Sequence, residues 1–205
     1  MGGVSRGLLL SIEGIDAVGK RTQASVLDSW LRSKGHTTRT VSFPDYGTAL
    51  GVEIKKFLIG GRHYPPEVRH MLFAANRWEK KDELESILAR TDVVIANRYS
   101  ESNLAYGIAS GLELGWLVNL EAGLPKADAV VVLDAPPAVL RSRRGRNKDE
   151  YESDVDLQER TRSAYVTLAG KFGWKVIDAT GETKATSRAL IGVVSDSLKV
   201  RGRTT

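Results

Sequence analysis

Five short runs of aliphatic and β-branched residues recur along the chain, and each is followed by polar residues or glycine. Runs of this length and composition, bounded by turn-forming residues, are typical of buried strands. We predict strands over residues 8–12, 38–43, 93–96, 129–133 and 175–177.

The segments between these runs have the apolar spacing of helices. Strands that alternate with helices predict an α/β fold, a single three-layer domain in which helices cover both faces of a parallel sheet. Ligands of such sheets bind beyond the carboxyl ends of the strands, so the residues after each strand are the candidates for chemistry. The predicted helices cover about 20–33, 50–59, 66–89, 102–122 with Gly111 as a candidate break, 136–143, 155–171 and 184–199.

The length and composition of the chain narrow the class of protein. A chain of 205 residues suits one domain, which we place over 1–205. No apolar run approaches the roughly 20 residues that span a bilayer, and the first residues lack the apolar core of a signal peptide, so we expect a cytoplasmic protein without membrane contact. With no cysteine, the sequence excludes disulfides and thiolate-bound metals, and its three separated histidines give no metal cluster.

The net charge of +5 and the pI near 9.4 suit an anionic partner, either nucleic acid or a phosphorylated small molecule. Cations are most concentrated over 140–148, in the sequence LRSRRGRNK. This segment fits a loop that closes over a transferring phosphoryl group, a solvated charged loop, or a nucleic-acid patch. The last usually has aromatic residues or a wider basic surface, and neither is evident here, so we expect no nucleic-acid partner. The basic end of the chain, about 200–205, is expected to be a flexible tail.

A phosphate-binding pattern follows the first predicted strand. Residues 14–20 read GIDAVGK, which matches GxxxxGK(S/T) except that Arg21 stands where a hydroxyl is expected. Backbone N–H groups, the N-terminus of the following helix and Lys20 would hold a phosphate chain. The string can also arise by chance, but the strand before it and the helix after it favour phosphate binding.

Two further segments carry candidate binding groups. Arg98, after the third predicted strand, could hold a phosphate through two hydrogen bonds, although an isolated arginine is more often structural. Phe73 and Arg77 are four residues apart on a predicted helix and share a face, which suits the stacking and hydrogen bonding of a nucleobase. Taken alone, Phe73 is more often core and Arg77 solvated, and we expect Trp78 in the core.

Together these segments resemble thymidylate kinases, nucleoside monophosphate kinases that transfer the γ-phosphoryl group of ATP to dTMP. The resemblance extends from about residue 8 to residue 178 and lies in IEGIDAVGK, the FPD turn, LFAANRWE, NRYS with LAYG after it, GLPKADAVVVLD, and the later YE and LQER pieces. The segment LFAANRWE is the most specific, because in the family it belongs to the dTMP pocket. The resemblance implies a P-loop NTPase-type domain with sheet order 2-3-1-4-5, a basic lid at about 141–154, and a homodimer.

The resemblance also implies a role for individual residues, with ATP and Mg²⁺ as cofactors. The residues expected to bind ATP are Gly14, Ile15, Asp16, Ala17, Val18, Gly19, Lys20, Arg21 and Thr22. Those expected to bind dTMP are Asp16, Phe43, Tyr46, Phe73, Arg77, Arg98, Tyr106, Tyr151 and Gln158. Among them, Phe73 is expected to stack on thymine, Arg77 to bond its carbonyl edge, and Tyr106 to lie where a ribose 2′-hydroxyl would be. The expected catalytic residues are Lys20, Arg98, Arg144 and Arg146.

The chain departs from the family pattern at three positions. Arg21 replaces the hydroxyl residue of the phosphate loop, Asn97 replaces the acid of a DR(Y/H) segment, and Tyr46 replaces an arginine. The first two changes remove a metal ligand or an anion. Mg²⁺ would then be held mainly by ATP oxygens and water, with help from Thr22, Glu13 or Asp134. The alternatives to an active dTMP kinase are a non-catalytic nucleotide-binding protein and a kinase of another nucleoside monophosphate.

Overall fold

A computed structural model describes the backbone of residues 6–140 and 154–202. Its sheet has five strands, all paired in parallel, in the order β2-β3-β1-β4-β5, which confirms the predicted order. The central strand β1 pairs with β3 on one side and with β4 on the other, so that Leu10 lies opposite both Ile95 and Ala129. The strands are β1 (Leu8–Glu13), β2 (Thr38–Ser42), β3 (Val93–Asn97), β4 (Ala129–Asp134) and β5 (Lys175–Asp178).

Helices connect the strands and cover both faces of the sheet, and no described helix is long and apolar enough to cross a membrane. The described helices are α1 (Lys20–Ser33), α2 (Ala49–Leu58), α3 (Pro66–Glu79), α4 (Lys81–Leu88), α5 (Ser100–Ala109), α6 (Leu114–Leu120), α7 (Pro137–Leu140), α8 (Val155–Phe172) and α9 (Thr183–Gly202). Of the helix predicted over 136–143, α7 forms the first part and 141–143 lie outside the described residues.

Two predicted helices are each divided in the structure. The prediction of one helix over 66–89 was wrong, because Lys80 leaves helical geometry with φ −102° and ψ 6° and separates α3 from α4. The Lys80 side chain ties this break to two acids, with Nζ at 3.3 Å from Asp45 and close to Glu83. Gly111 has φ 86°, and α5 ends before it, so the candidate break in the other helix is confirmed.

The alternation of side chains along β1 explains the three layers. Leu8, Leu10 and Ile12 belong to a large cluster with residues of α1, α5 and α8, whereas Leu9 packs in a second cluster that contains Leu84 of α4. Successive residues of a strand point to opposite faces, so β1 is buried by helices on both sides. The strand ends at Glu13, and the chain then enters the predicted phosphate loop at the carboxyl edge of the sheet.

Trp78 is not in the core, so that prediction was wrong. Its side chain is 39% exposed, its indole N–H donates to the carbonyl of Leu120 at 2.9 Å, and its ring lies over Gly123. A Cβ at Gly123 would come within 2.7 Å of the indole ring. The buried residues of α3 are His70, Ala74, Asn76 and Arg77, and residue 78 is not among them.

Candidate active site

The loop between β1 and α1 has the backbone shape of a phosphate cradle. Gly14 and Gly19 have φ 131° and 102°, and Ala17 has φ 64°, so three residues are in the left-handed region. A Cβ at Gly14 would collide with the carbonyl oxygen of Leu133, so only glycine fits there. Gly19 leads directly into the N-terminus of α1, where unpaired N–H groups and the helix dipole favour an anion.

Lys20, the first residue of α1, is folded over this loop. Its ammonium donates to the carbonyls of Gly14 at 3.0 Å and Ile15 at 2.9 Å, and it lies 3.9 Å from Oδ1 of Asp16. The side chain is therefore anchored at the loop, with its ammonium beside Asp16.

Asp16 joins the phosphate loop to Arg98 at the end of β3. The Arg98 guanidinium donates to Oδ1 of Asp16 and to the Tyr106 hydroxyl at 3.1 Å, and that hydroxyl donates to Oδ2 of Asp16 at 2.9 Å. Gln158 donates to the same oxygen at 3.3 Å and accepts from the Asp16 N–H at 3.3 Å. The structure thus brings together four of the residues predicted around dTMP, from four separate parts of the chain.

The charges of this cluster settle the ionisation of Asp16. Burial alone would raise the pKa of Asp16, but the charges of Arg98 and Lys20 and the hydrogen bonds from Arg98 and Tyr106 outweigh it and hold the pKa well below its usual range. Asp16 is therefore an anion at neutral pH. The guanidinium of Arg98 also lies 5.1 Å from the centre of the Tyr106 ring, which orients it further.

Glu13, at the end of β1, holds the strands and helices around Arg98. Its two carboxylate oxygens accept from Ser11 Oγ, the N–H of Tyr99, Ser102 Oγ and the Tyr165 hydroxyl, all at 2.6–2.7 Å. The side chain is 0% exposed. Four hydrogen bonds occupy this carboxylate, so its role is to position the backbone beside Arg98, which itself has φ 65°.

A pocket opens beside Asp16 and Arg98 and extends toward α3. Phe73, Phe43 and Tyr46 line it, as predicted for the acceptor nucleotide, together with Tyr99, Ser102 and Asn103. Phe43 is buried, and its ring lies 5.6 Å from that of Tyr99, whereas Tyr46 is 45% exposed. An aromatic wall at one end and a cation at the other suit a planar base joined to a phosphate.

Arg77 is in this pocket but is not solvated. It is 3% exposed and forms a two-point ion pair with Glu121 after α6, with Nε to Oε2 at 2.8 Å and Nη2 to Oε1. This pair uses Nε and Nη2 and leaves Nη1 outside it. Sequence reasoning missed Glu121, because the two residues are 44 positions apart and no local pattern links them.

The helix α5 contributes two groups that were not predicted, Ser102 and Asn103, beside the predicted Tyr106. Ser102 and Asn103 follow Arg98 by four and five residues, and Tyr106 is three residues after Asn103, so α5 presents them to the pocket together. Asn103 donates to Oε1 of Glu121 at 2.7 Å and so extends the Arg77 pair. Asn103 precedes Tyr106 by three residues on α5, so helical spacing from Tyr106 would have predicted it as a pocket residue.

Two of the three positions that depart from the family pattern, Arg21 and Asn97, lie close together. Arg21 and Asn97 line one groove at the edge of the phosphate loop, with Ser42 and Asp28. Arg21 and Thr22 are exposed. The Asn97 side chain makes a hydrogen bond of 3.5 Å with Ser42 Oγ, and its buried Oδ1 has no partner among the described residues.

The described residues do not fit a protein-ligated metal site. They contain no group of three or more His, Cys, Asp and Glu side chains that could hold a metal ion. Glu13 is occupied by four donors, and Asp134 is held by Arg162 through two hydrogen bonds of 2.8 and 2.9 Å. Both carboxylates are thus already paired within the protein, and a role for either acid in holding Mg²⁺ stays a prediction. A role for the exposed Thr22 in holding Mg²⁺ stays a prediction. The predicted site residues Arg144, Arg146 and Tyr151 lie outside the described residues.

Comparison with known proteins agrees with this geometry. Residues 12–190 match the family model described as thymidylate kinase. The chain is 36% identical to the thymidylate kinase of Arabidopsis thaliana over 95% of this chain and 73% of that protein, and 35% identical to a probable thymidylate kinase of Thermococcus gammatolerans over 94% and 98%. The solved structure of thymidylate kinase from Candida albicans superposes with a TM-score of 0.83 at 26% identity, covering 93% of this chain and 92% of that one. With this fold, this phosphate loop and these relatives, the chain belongs to the thymidylate kinase family.

Proposed function

We propose that the pocket beside Asp16 is where dTMP accepts a phosphoryl group. As a family member, the chain is an ATP-dependent phosphotransferase that converts dTMP to dTDP. Its similarity to relatives named thymidylate kinase does not favour the alternative of a non-catalytic binder. The main support for placing dTMP in this pocket is that Arg98 and Lys20 both contact one carboxylate, Asp16. This contact puts the cation of the phosphate loop beside the cation of the pocket.

The donor nucleotide would be held by the loop of residues 14–19 and the start of α1. The N–H groups of the loop and the dipole of α1 attract the phosphates, and Lys20 reaches their outer oxygens. Arg98 would hold the phosphate of dTMP, so that two cations face the oxygens between which the phosphoryl group moves. Transfer of this kind depends mainly on positioning and on stabilisation of charge, and both cations supply these. Arg144 and Arg146 are proposed to add charge to the same group.

The acceptor's sugar and base would lie along the pocket wall. Tyr106, fixed by Asp16 and Arg98, stands where a 2′-hydroxyl would crowd it, which favours a deoxyribose. Phe73 offers a flat apolar surface to the thymine ring, and Nη1 of Arg77 can donate to a thymine carbonyl. Phe43, Tyr46, Gln158 and Tyr151 complete the proposed set.

Mg²⁺ would enter with ATP and neutralise phosphate charge from the nucleotide's own oxygens, because Mg²⁺ keeps several waters and commonly binds substrate phosphates. We further propose that the protein works as a cytoplasmic homodimer with no nucleic-acid partner.

The test is ADP production from ATP, Mg²⁺ and dTMP, compared with dUMP, dCMP, AMP and no acceptor. We expect turnover specific to thymine that falls by at least about a hundredfold in Arg98→Ala, because a bidentate cation at a transferring group is lost. The control is Arg90→Ala, since the Arg90 side chain, just beyond the end of α4, donates to the carbonyl and the hydroxyl of Ser86 on that helix. Binding of ATP and dTMP without turnover would instead identify a non-catalytic binder, and preference for another acceptor would identify a different kinase.

A further inference from the structure

A buried histidine lies at the base end of the pocket. His70 precedes Phe73 by three residues and Arg77 by seven on α3, so the three side chains share one face of the helix and all line the pocket. The imidazole is 0% exposed, and its ring centre lies 5.9 Å from that of Phe73 in an edge arrangement.

The hydrogen bonds of Asn103 fix which nitrogen of His70 carries the proton. Asn103 Nδ2 donates to the carbonyl of His70 at 3.2 Å and to Oε1 of Glu121 at 2.7 Å, and both of these groups only accept. Its Oδ1 therefore faces Nδ1 of His70, at 2.7 Å, and Nδ1 must donate. In a neutral ring with the proton on Nδ1, Nε2 is an acceptor.

This acceptor has nothing to accept from within the described part of the chain. Nε2 of His70 is buried there without a hydrogen-bond partner. Burial is the main cause that lowers the pKa of His70 to about 4, and the nearby charges of Arg69 and Arg77 act in the same direction. Adding a proton to Nε2 is therefore unfavourable, and a buried lone pair of this kind is stabilised by a ligand that brings a donor.

We propose that Nε2 of His70 accepts a hydrogen bond from the N3–H group of the thymine base, and that His70 is thereby a specificity-determining residue. The inference rests on the placement of the base beside Phe73. Thymine joined to its sugar carries one N–H group, at N3, next to the C4 carbonyl. Arg77 supplies a donor and His70 an acceptor, and the hydrogen bonds through Asn103 and Glu121 hold the two side chains together. Cytosine has neither the N3 proton nor the C4 carbonyl, so this pair disfavours it.

The imidazole is covered by protein atoms, so the contact needs either a small movement of the Phe73 ring or one bridging water. Both routes depend on the N3 proton. The matched pair of ligands is therefore dTMP and N3-methyl-dTMP, which differ at that proton.

Affinity for both ligands would be measured by calorimetry with wild type, His70→Asn and His70→Gln. Asparagine keeps an N–H group near the place of Nδ1 but has no atom at the place of Nε2, whereas glutamine can put an oxygen there. We expect His70→Asn to bind dTMP about tenfold more weakly, the value of one hydrogen bond, and N3-methyl-dTMP within about twofold of wild type. His70→Gln should stay within about threefold for dTMP. His63→Asn, at an exposed site before α3, is the control.

An equal loss of both ligands in His70→Asn would overturn the inference, because a structural role weakens the pocket for each alike. Phe73→Ala separates this failure from that of the proposed function. If Phe73→Ala weakens the binding of dTMP and His70→Asn does not, only the role of His70 is wrong. If neither variant weakens the binding of dTMP, the base binds elsewhere, and both the role of His70 and the proposed placement of dTMP are wrong. Should His70→Asn not fold, His70→Leu, whose side chain has no acceptor, is tested with the same two ligands and is open to the same refutation.

Discussion

Acid should destabilise this protein through His70, and the size of the effect can be worked out from its burial. The pKa of His70 is lowered from 6.5 to about 4, chiefly by burial, with Arg69 and Arg77 adding to it and the hydrogen bond to Asn103 and the charge of Glu67 opposing it. The unfolded chain therefore takes up a proton near pH 6.5, while the folded chain does not until about pH 4. Folding stability is unaffected above this window and is lost as pH falls through it.

The loss follows from the difference between the two pKa values. At pH 5 it is about 2 kcal/mol, and it approaches about 3 kcal/mol near pH 4, because one pKa unit corresponds to about 1.4 kcal/mol. In His70→Asn this proton is absent, so the difference in unfolding free energy between wild type and variant should shift by about 2 kcal/mol in favour of the variant from pH 7.5 to pH 5.

The assay is equilibrium urea unfolding at constant ionic strength, followed by tryptophan fluorescence at several pH values. His63→Asn removes an exposed histidine and should follow wild type. If the wild-type and His70→Asn stabilities stay parallel between pH 7.5 and pH 5, the imidazole is not held neutral by burial, and the reasoning about its Nε2 lone pair fails as well.

Three further predictions concern acidic groups, two of them native and one introduced. Burial and the charge of Glu13 raise the pKa of Glu101 to about 8, so folding stability should fall as pH rises from 4.5 to about 8. In urea unfolding, Glu101→Gln should gain more than about 1 kcal/mol of stability relative to wild type between pH 5 and pH 8. Parallel stability curves of the two proteins would contradict this. Glu121→Gln leaves the buried Arg77 without its anion and should lower the free energy of unfolding by about 3 kcal/mol. The KM for dTMP should rise while the KM for ATP stays unchanged. Equal changes in both KM values would point to general unfolding. Asn97→Asp adds an anion beside Arg21 and should lower the Mg²⁺ concentration needed for half of the thermal stabilisation by ATP, and an unchanged midpoint would show that position 97 does not affect the metal.

The fold was predictable because its signals are local. Apolar runs locate all five strands to within one residue at each end, and alternation with helices implies the parallel sheet. The break at Lys80 was not predictable, because it is tied to Asp45, which is remote in the sequence. The exposure of Trp78 was missed for a similar reason, since its indole packs on Gly123 and not in the core.

The candidate site was predictable only where a motif carried it. Asp16, Arg98, Tyr106 and Gln158 lie in recognisable segments, and the structure brings them within hydrogen-bonding distance of one another. The support of Arg77 by Glu121, and of His70 by Asn103, depends on how α3, α5 and α6 pack. A lone glutamate or histidine gives no local sign of a partner 33 or 44 residues away.

The start of α1 concentrates positive charge in a way that needs an anion. Lys20 and Arg21 occupy its first two positions, the first turn contains no acidic residue, and Gly19 provides no side-chain cap. Cations at a helix N-terminus oppose the dipole by about 0.3–1 kcal/mol each, so this arrangement disfavours the free helix. A nucleotide's phosphates reverse the sign of that interaction. Lys20 is partly balanced by Asp16 at 3.9 Å, whereas Arg21 is exposed beside Asn97, a neutral residue. The loop therefore attracts phosphate with its own charges, and position 97 offers no carboxylate to a divalent ion bound to ATP.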